Sequence, residues 1–424
     1  MEQLKHLPIA KSNANRLLIM ASLAGVLPQV SQIIIQRYNW EDCADDIHIM
    51  HQVLREIQAP LCDALPIVNV GAAGTVLRFV TALASVLTSK PLQITGTERL
   101  KNRPLLPLIE QLRLLGAHID GEWTPKNEHT PLTIYPPQKK LQGGILSEDF
   151  EAESSQYISA LLMIAPYFST SFGIPLLPQD RNSRPYIDLT LSMMREAGSQ
   201  WFNTQEGVVV KPIPYSPEAI MAMAHDLEYD WSAASYAFGW CSVARKPIII
   251  PHLKASDKQG DRAIVGLMRP LGVKTRFLEG GGLELMPLEV QRLACYTPEH
   301  LAETPDLIPT LVVTALMRRQ PFVMKGIAGL RAKESNRIKQ MVKTAALLGF
   351  HLHEEENRLS WNGVYHPIDP QKKILVDTAE DHRIAMAWSI ASIYFPSMEY
   401  TDSSVVTKSY PGFWSESIYS ILPH

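Results

Sequence analysis

The sequence is short of the features that mark most specialised chains. Only four cysteines occur in 424 residues, Cys43, Cys62, Cys241 and Cys295, and no two form a C-x-x-C pair. That leaves no disulfide framework and no cysteine-built zinc site, and it fits a reducing compartment. The thirteen histidines contain no H-E-x-x-H, so a metal site is not expected. Excess charge of either sign is also missing: 40 basic residues stand against 43 acidic ones, a net charge of −3. Nucleic-acid binding, which calls for a basic excess or stripe, is therefore not expected. No apolar run reaches the roughly 18 residues of a membrane-spanning helix. The run at 17–27, LLIMASLAGVL, has the look of a signal-peptide core. The basic region before it is long and broken, and no clear cleavage site follows, so the expectation is a cytoplasmic chain.

What is present is ordinary globular composition, 46% hydrophobic and 20% charged, in a chain long enough for two domains. A weak repeat runs through it. Amphipathic helical patterns end at Gly116, Gly198, Gly272 and Gly349, at intervals of 82, 74 and 77 residues, each followed by a strand-like run. Glycine there marks a helix stop, because it takes the left-handed conformation without a Cβ penalty. Residues 48–58 read as an earlier copy that lacks the glycine. Short β-branched runs at 32–36 (QIIIQ), 91–96 (PLQITG), 131–136 (PLTIYP), 207–212 (GVVVKP), 246–251 (KPIIIP), 321–326 (PFVMKG) and 372–377 (KKILVD) lie between the helices. Helices and strands at such intervals make a repeated α/β unit, too long for a solenoid turn.

The chemistry-bearing signals are cations placed at helix starts. In AKSNANR, Lys11, Ser12 and Arg16 open an apolar-periodic helix, with Ser12 placed to cap it. In GAAGTVLR, glycines including Gly74 open a second helix, with Arg78 one turn in; the spacing is neither a dinucleotide fingerprint nor a P-loop. Arg103 precedes Pro104 at what reads as a third helix start, where the dipole disfavours a cation. Ser154, Ser155 and Gln156 are uncharged donors before another apolar helix, and Ser183 and Tyr186 flank a Pro-started one. In LRAKESNR, Lys333, Glu334 and Arg337 open a helix, with Glu334 and Arg337 one turn apart. Asp381, His382 and Arg383 cluster before an apolar helix, and Lys408 stands in a Ser/Thr-rich loop. Singly, capping or a solvated ion pair accounts for each of these. Jointly, eight cations at dipole-positive ends of an acidic chain point to polyanionic ligands.

In order and spacing these segments resemble the 5-enolpyruvylshikimate-3-phosphate (EPSP) synthase family over nearly the whole chain. KESNR at 333–337 and DHRIAM at 381–386 are similar to that family's K-E-[ST]-[DN]-R and D-H-R-x-A-M motifs, and LEYDWSAASY at 227–236 and KQGD at 258–261 also match. The resemblance implies an α/β fold, an inside-out α/β barrel of two similar domains, each with three βαβαββ-type repeats. Residues 1–10 and 228–424 would form a discontinuous lower domain carrying Asp306, Glu334, Arg337, Arg383 and Lys408. Residues 11–227 would form the second, carrying Arg16, Arg78, Arg103, Ser154, Ser155, Gln156 and Ser183, with the active site in the inter-domain cleft.

The implied reaction moves the enolpyruvyl group of phosphoenolpyruvate to the 5-hydroxyl of shikimate-3-phosphate and releases phosphate. By resemblance, Lys11, Ser12, Arg16, Ser154, Ser155, Gln156, Ser183, Tyr186, Asp306 and Lys333 contact shikimate-3-phosphate. Lys11, Gly74, Arg78, Arg103, Gln156, Arg337, Arg383 and Lys408 contact phosphoenolpyruvate. Asp306, Glu334, Lys11, Lys408 and His382 take the catalytic positions. Ala10, Ala72 and Gly329 depart from the family's usual residues. No cofactor or metal is implied; the expected partners are the two small-molecule substrates, with no nucleic acid or membrane, acting on a monomer. Two other readings are an enolpyruvyl transferase acting on UDP-N-acetylglucosamine and a non-catalytic anion-binding relative. The first typically uses a loop cysteine in a Gly/Arg-rich setting, and none of the four cysteines has one.

Overall fold

A computed structural model describes residues 2–59, 65–121, 123, 132–146, 150, 155–175 and 184–418. Its chain divides into two compact units: Met1–Ala10, Glu41–Ala44 and Glu228–His424 in the first, Lys11–Trp40 and Asp45–Leu227 in the second. The short segment Glu41–Ala44, which the sequence reading left with the second unit, groups with the first.

One strand arrangement recurs. In the second unit, Ile67–Asn69 pairs in parallel with Leu92–Thr95, which pairs antiparallel with Leu132–Ile134, itself antiparallel to Ile119–Asp120. Gly144–Ile145, Phe172–Pro175, Gly207–Val210 and Trp201–Asn203 repeat it. In the first unit, Glu2–Gln3, Ile248–Ile250, Leu283–Pro287 and Val273–Phe277 do the same, so this copy takes its opening strand from the far end of the chain. A fourth copy has its opening strand reduced to a parallel bridge, Tyr296 to Phe322, ahead of the antiparallel Phe322–Lys325, Arg358–Trp361 and His353–Glu355. A parallel pair needs a crossover, and a helix fills each one.

These crossover helices are buried on all sides. Ile308–Met317 buries all ten residues and Trp231–Ala244 thirteen of fourteen. A helix apolar all round belongs in an interior, and Trp231, Phe238 and Trp388 from such helices anchor the core of the first unit. The second helix of each repeat, such as Arg184–Glu196 or Arg337–Leu347, buries only one face. Gly116, Gly198, Gly272 and Gly349 end these second helices with φ between 83° and 100°, as the repeat required.

Several local expectations are corrected. Residues 32–36 are helical, inside Leu27–Arg37. Leu27, Val30, Ser31 and Ile34 are buried at helical spacing while Ile35 is exposed, so β-branching yields to the burial pattern. Ser12 is the second residue of helix Lys11–Leu23, not its cap, and its hydroxyl donates to Asn13 Oδ1. Lys333 and Glu334 precede the helix that begins at Arg337, where Asn336 is the cap. Arg103 sits at the C-terminal side of the short helix Glu98–Lys101, its N–H donating to Leu100 O, so the supposed helix-start conflict is absent.

Candidate active site

Each unit gathers its share of the functional residues at helix amino ends. In the first unit these are the starts of Trp231–Ala244, Ile308–Met317, Arg337–Leu347 and His382–Ser389. Arg337, 1% exposed, is the hub. Its Nε donates to Asp381 Oδ2 at 2.9 Å, Nη1 to Asp306 Oδ1 at 2.9 Å and Nη2 to Glu334 Oε2 at 2.7 Å. Arg383 Nη2 donates to the other oxygen of Asp306 at 2.7 Å, and its Nη1 reaches Tyr236 Oη at 3.5 Å. Lys408 Nζ lies 3.5 Å from Glu334 Oε1. Asp381, fully buried, caps its own helix through the Arg383 N–H and also accepts from Ser335 Oγ. His382 is 1% exposed, so its ring sits in the packing of the unit.

The electrostatics follow from this geometry. Burial alone would raise the Asp306 pKa, but Arg383, Arg337 and Lys333 outweigh it against the opposition of Glu334, and hold the carboxyl well below the usual range. Burial would likewise lower Arg337, yet Asp381, Glu334 and Asp306 raise it further above its ordinary value. Asp261 behaves in the opposite way. Burial and the charge of Asp306 push it up to about 7, against the Ser232 hydroxyl bonded to it and Arg383. Burial pushes Tyr236 up to about 12, with Arg383 opposing.

In the second unit, contacts near helix starts link Lys11–Leu23 to Asp45–Gln58, Gly74–Leu87 to Ser155–Ile164, and Lys11–Leu23 to Arg184–Glu196. Lys11 Nζ pairs with Asp46 Oδ2 at 3.0 Å. Arg78 Nη1 donates to Gln156 Oε1 at 2.7 Å, and Gln156 Nε2 donates to Thr75 Oγ1 at 3.0 Å. Arg78 and Arg103 both crowd Gly74: a Cβ there would stand 2.4 Å from Arg103 Nη1 and 2.9 Å from Arg78 Nη1. Nε of Arg103 is buried with no hydrogen-bond partner among the described residues. Two guanidiniums thus lie against the positive end of a fourteen-residue helix, an arrangement that repels itself without an anion.

Arg16 is buried and donates to Thr190 Oγ1 at 2.7 Å, Ser12 O at 2.8 Å, Tyr186 O at 3.1 Å and Ser159 Oγ at 3.2 Å. No carboxylate pairs with it among the described residues, and burial lowers its pKa to about 10. Ser155 and Tyr186 stand in the first turns of their helices. Ser154 and Ser183 lie outside the described residues.

The sequence reading passed over Asp381 as a mere neighbour of His382 and Arg383, although it fixes both Arg337 and the helix start. It also passed over Asp46 and Asp261. A carboxylate just ahead of an apolar helix flagged the first, and the Asp45–Asp46 pair opening a helix flagged the second. Asp261 lay within the KQGD segment with no local signal of its burial.

The profile of the family described as EPSP synthase (3-phosphoshikimate 1-carboxyvinyltransferase) matches residues 6–416. A protein of Bacteroides fragilis (strain YCH46) named 3-phosphoshikimate 1-carboxyvinyltransferase is 35% identical over 419 residues, covering 97% of this chain and 93% of its own. One of the same name from Syntrophobacter fumaroxidans is 30% identical over 349 residues, 81% of this chain and 77% of its own. In fold, the chain is similar to a solved EPSP synthase from Acinetobacter baumannii, with a TM-score of 0.68 at 18% identity, covering 99% of this chain and 95% of that one.

Proposed function

The chain belongs to the EPSP synthase family, and on that premise we propose that it transfers the enolpyruvyl group of phosphoenolpyruvate to the 5-hydroxyl of shikimate-3-phosphate and releases phosphate. The observation that carries this reading is the crowding of Arg78 and Arg103 over Gly74 at a helix amino end. Both substrates are phosphate monoesters of about −1.5 to −2 charges, and guanidinium forks suit phosphate and carboxylate alike.

The clusters of the two units divide the work on one substrate pair. Lys11, Gly74, Arg78, Arg103 and Gln156 hold the phosphate of phosphoenolpyruvate. Arg337, Arg383 and Lys408 take its carboxylate. Ser12, Arg16, Ser155, Tyr186 and Lys333, together with Ser154 and Ser183, receive shikimate-3-phosphate, and the buried guanidinium of Arg16, without a carboxylate of its own, suits an incoming anion. Asp306 is held ionised by Arg383 and Arg337, the state that accepts a proton. When a substrate carboxylate shares those two guanidiniums, their hold on Asp306 weakens and its basicity rises.

Asp306 then takes the 5-hydroxyl proton as O5 bonds to C2 of phosphoenolpyruvate, and Glu334, protonated from solvent once the substrate carboxylate has taken Arg337 from it, delivers that proton to the methylene carbon. In the resulting ketal the C–O bond to phosphate breaks, Glu334 recovers its proton, and the proton on Asp306 leaves with phosphate. Lys11 and Lys408 stabilise charge on the moving oxygens. His382, with its ring inside the packing, holds the start of the helix that presents Arg383. The proposal includes a monomer working in the cytoplasm without a cofactor. Phosphate release, measured with shikimate-3-phosphate and with UDP-N-acetylglucosamine as acceptors, tests the reading: release requires phosphoenolpyruvate and the first acceptor together. Release with the second acceptor alone, or with neither, overturns it.

A further inference from the structure

A second cationic cavity lies in the first unit, apart from the cluster around Arg337. It has a volume of about 880 Å³ and is bordered by residues 297–302, Val323, Lys325, Gly326 and Arg358. That volume matches a small organic ligand.

Two like charges stand side by side on its lining, Lys325 exposed and Arg358 partly so. Strands Phe322–Lys325 and Arg358–Trp361 are antiparallel, and the register sets Lys325 directly opposite Arg358. Like charges in that relation are destabilising. Arg358 has one compensating contact, Nη1 to Glu355 Oε1 at 3.2 Å, while its Nε is buried with no hydrogen-bond partner among the described residues. The Lys325 ammonium has neither an ion pair nor a hydrogen bond among them. Glu299 is the one carboxylate on the lining. His300, also on the lining, is exposed and has a left-handed backbone (φ 58°); its Nδ1 lies 3.3 Å from Glu303 Oε1. Gly326, at φ 79°, brings the strand end within reach of residue 302: a Cβ on it would meet Ala302 N at 3.0 Å.

The walls of the cavity are the segments that lead to the acid–base pair. The loop at 297–302 runs into the turn Pro305–Leu307, which bears Asp306. Strand Phe322–Lys325 runs through Gly326 and the turn Ala328–Ala332 to Lys333 and Glu334.

We propose that this cavity binds a small organic phosphate monoester on Lys325 and Arg358, and that its occupancy alters turnover through the two segments that carry Asp306 and Glu334. A phosphate fits because its oxygens accept from an ammonium and a guanidinium at once, and its organic group has the half-buried side chain of Val323 to lie against.

The test uses phenyl phosphate and inorganic phosphate as probes. Binding is measured by calorimetry on the full chain with shikimate-3-phosphate at saturation, for the wild type, Lys325→Ala, Arg358→Gln and the double variant. The expected result is saturable binding of phenyl phosphate, tighter than that of inorganic phosphate and at least tenfold weaker in the double variant, whose melting temperature and unliganded turnover stay near those of wild type. Turnover of the wild type should change severalfold with phenyl phosphate at saturating substrates, and that of the double variant should not. Binding that is absent, or unchanged in the double variant, overturns the site. Binding that leaves turnover unmoved overturns the regulatory part. The binding arm does not depend on the reaction proposed above and the turnover arm does, so failure of one is distinct from failure of the other.

Discussion

Arg337 and Asp381 form an ion pair sealed from solvent, 1% and 0% exposed, with Nε of one 2.9 Å from Oδ2 of the other. The pair joins two helix starts 44 residues apart in sequence. Removing one member of a buried pair costs about 3–5 kcal/mol when the other charge is left uncompensated; Arg337 keeps Asp306 and Glu334, so here the loss is that of the third contact and of the helix cap. Asp381→Ala is therefore expected to lower the melting temperature by several degrees and to lower turnover through a misplaced Arg337. Calorimetric melting alongside the phosphate-release assay checks both; an unchanged melting temperature refutes the anchor role.

Asp306→Ala should lower turnover by ~10²–10⁴ with binding of shikimate-3-phosphate largely kept. A turnover number equal to that of wild type rejects Asp306 as the base.

Asp306 also sets a pH dependence. Its folded pKa is depressed, because Arg383, Arg337 and Lys333 outweigh burial. The unfolded chain then binds its proton first, so the stabilisation is whole above the ordinary aspartate value, near 3.9, and fades as pH falls below it. In an Asp261→Asn background, which removes the titration that Asp306 shifts in its neighbour, the difference in melting temperature made by Asp306→Asn should be constant above about pH 5 and shrink on acidification. A difference that grows toward acid pH contradicts the ion-paired state.

Asp261 has the reverse sign. Burial and Asp306 raise its folded pKa to about 7, so between roughly pH 4 and 7 the folded state holds the proton that the unfolded state has lost, and stability falls as pH rises. Asp261→Asn removes this penalty. The variant's melting temperature relative to wild type should climb across that window, and a flat difference would dismiss the shift.

Gly74→Ala tests the anion cradle. The new Cβ would stand 2.4 Å from Arg103 Nη1 and 2.9 Å from Arg78 Nη1, both ends of flexible side chains. Those ends can move, so the fold should survive, and alanine suits a helix. The KM for phosphoenolpyruvate is expected to rise tenfold or more, with a smaller change in kcat and in the KM for shikimate-3-phosphate. Equal changes in both KM values would place the cradle elsewhere.

Much of this molecule was legible along the chain. The repeat showed because each second helix is amphipathic and stops at a glycine, Gly116, Gly198, Gly272 and Gly349, all with positive φ. The strands at 248–250 and 322–325 showed because β-branched runs were bounded by prolines and glycine. The run at 32–36 misled for a local reason: three isoleucines favour a strand, but Leu27, Val30 and Ile34 find their burial only on a helix. Arg103 misled because a proline beyond it read as a helix start, when the helix begins at Leu106.

The sequence by itself determined that most of these side chains stand near helix ends, Arg103 excepted, since glycine stops and apolar periods are properties of neighbours along a chain. It could not determine which of them meet. That Arg337 is shared by Asp306, Glu334 and Asp381, that burial beside Asp306 pushes the Asp261 carboxyl up, and that Lys325 faces Arg358 follow from pairings across tens of residues. Only the packed structure decided those, because burial and distance, which set the strength of every charge interaction, exist only once the chain has closed on itself.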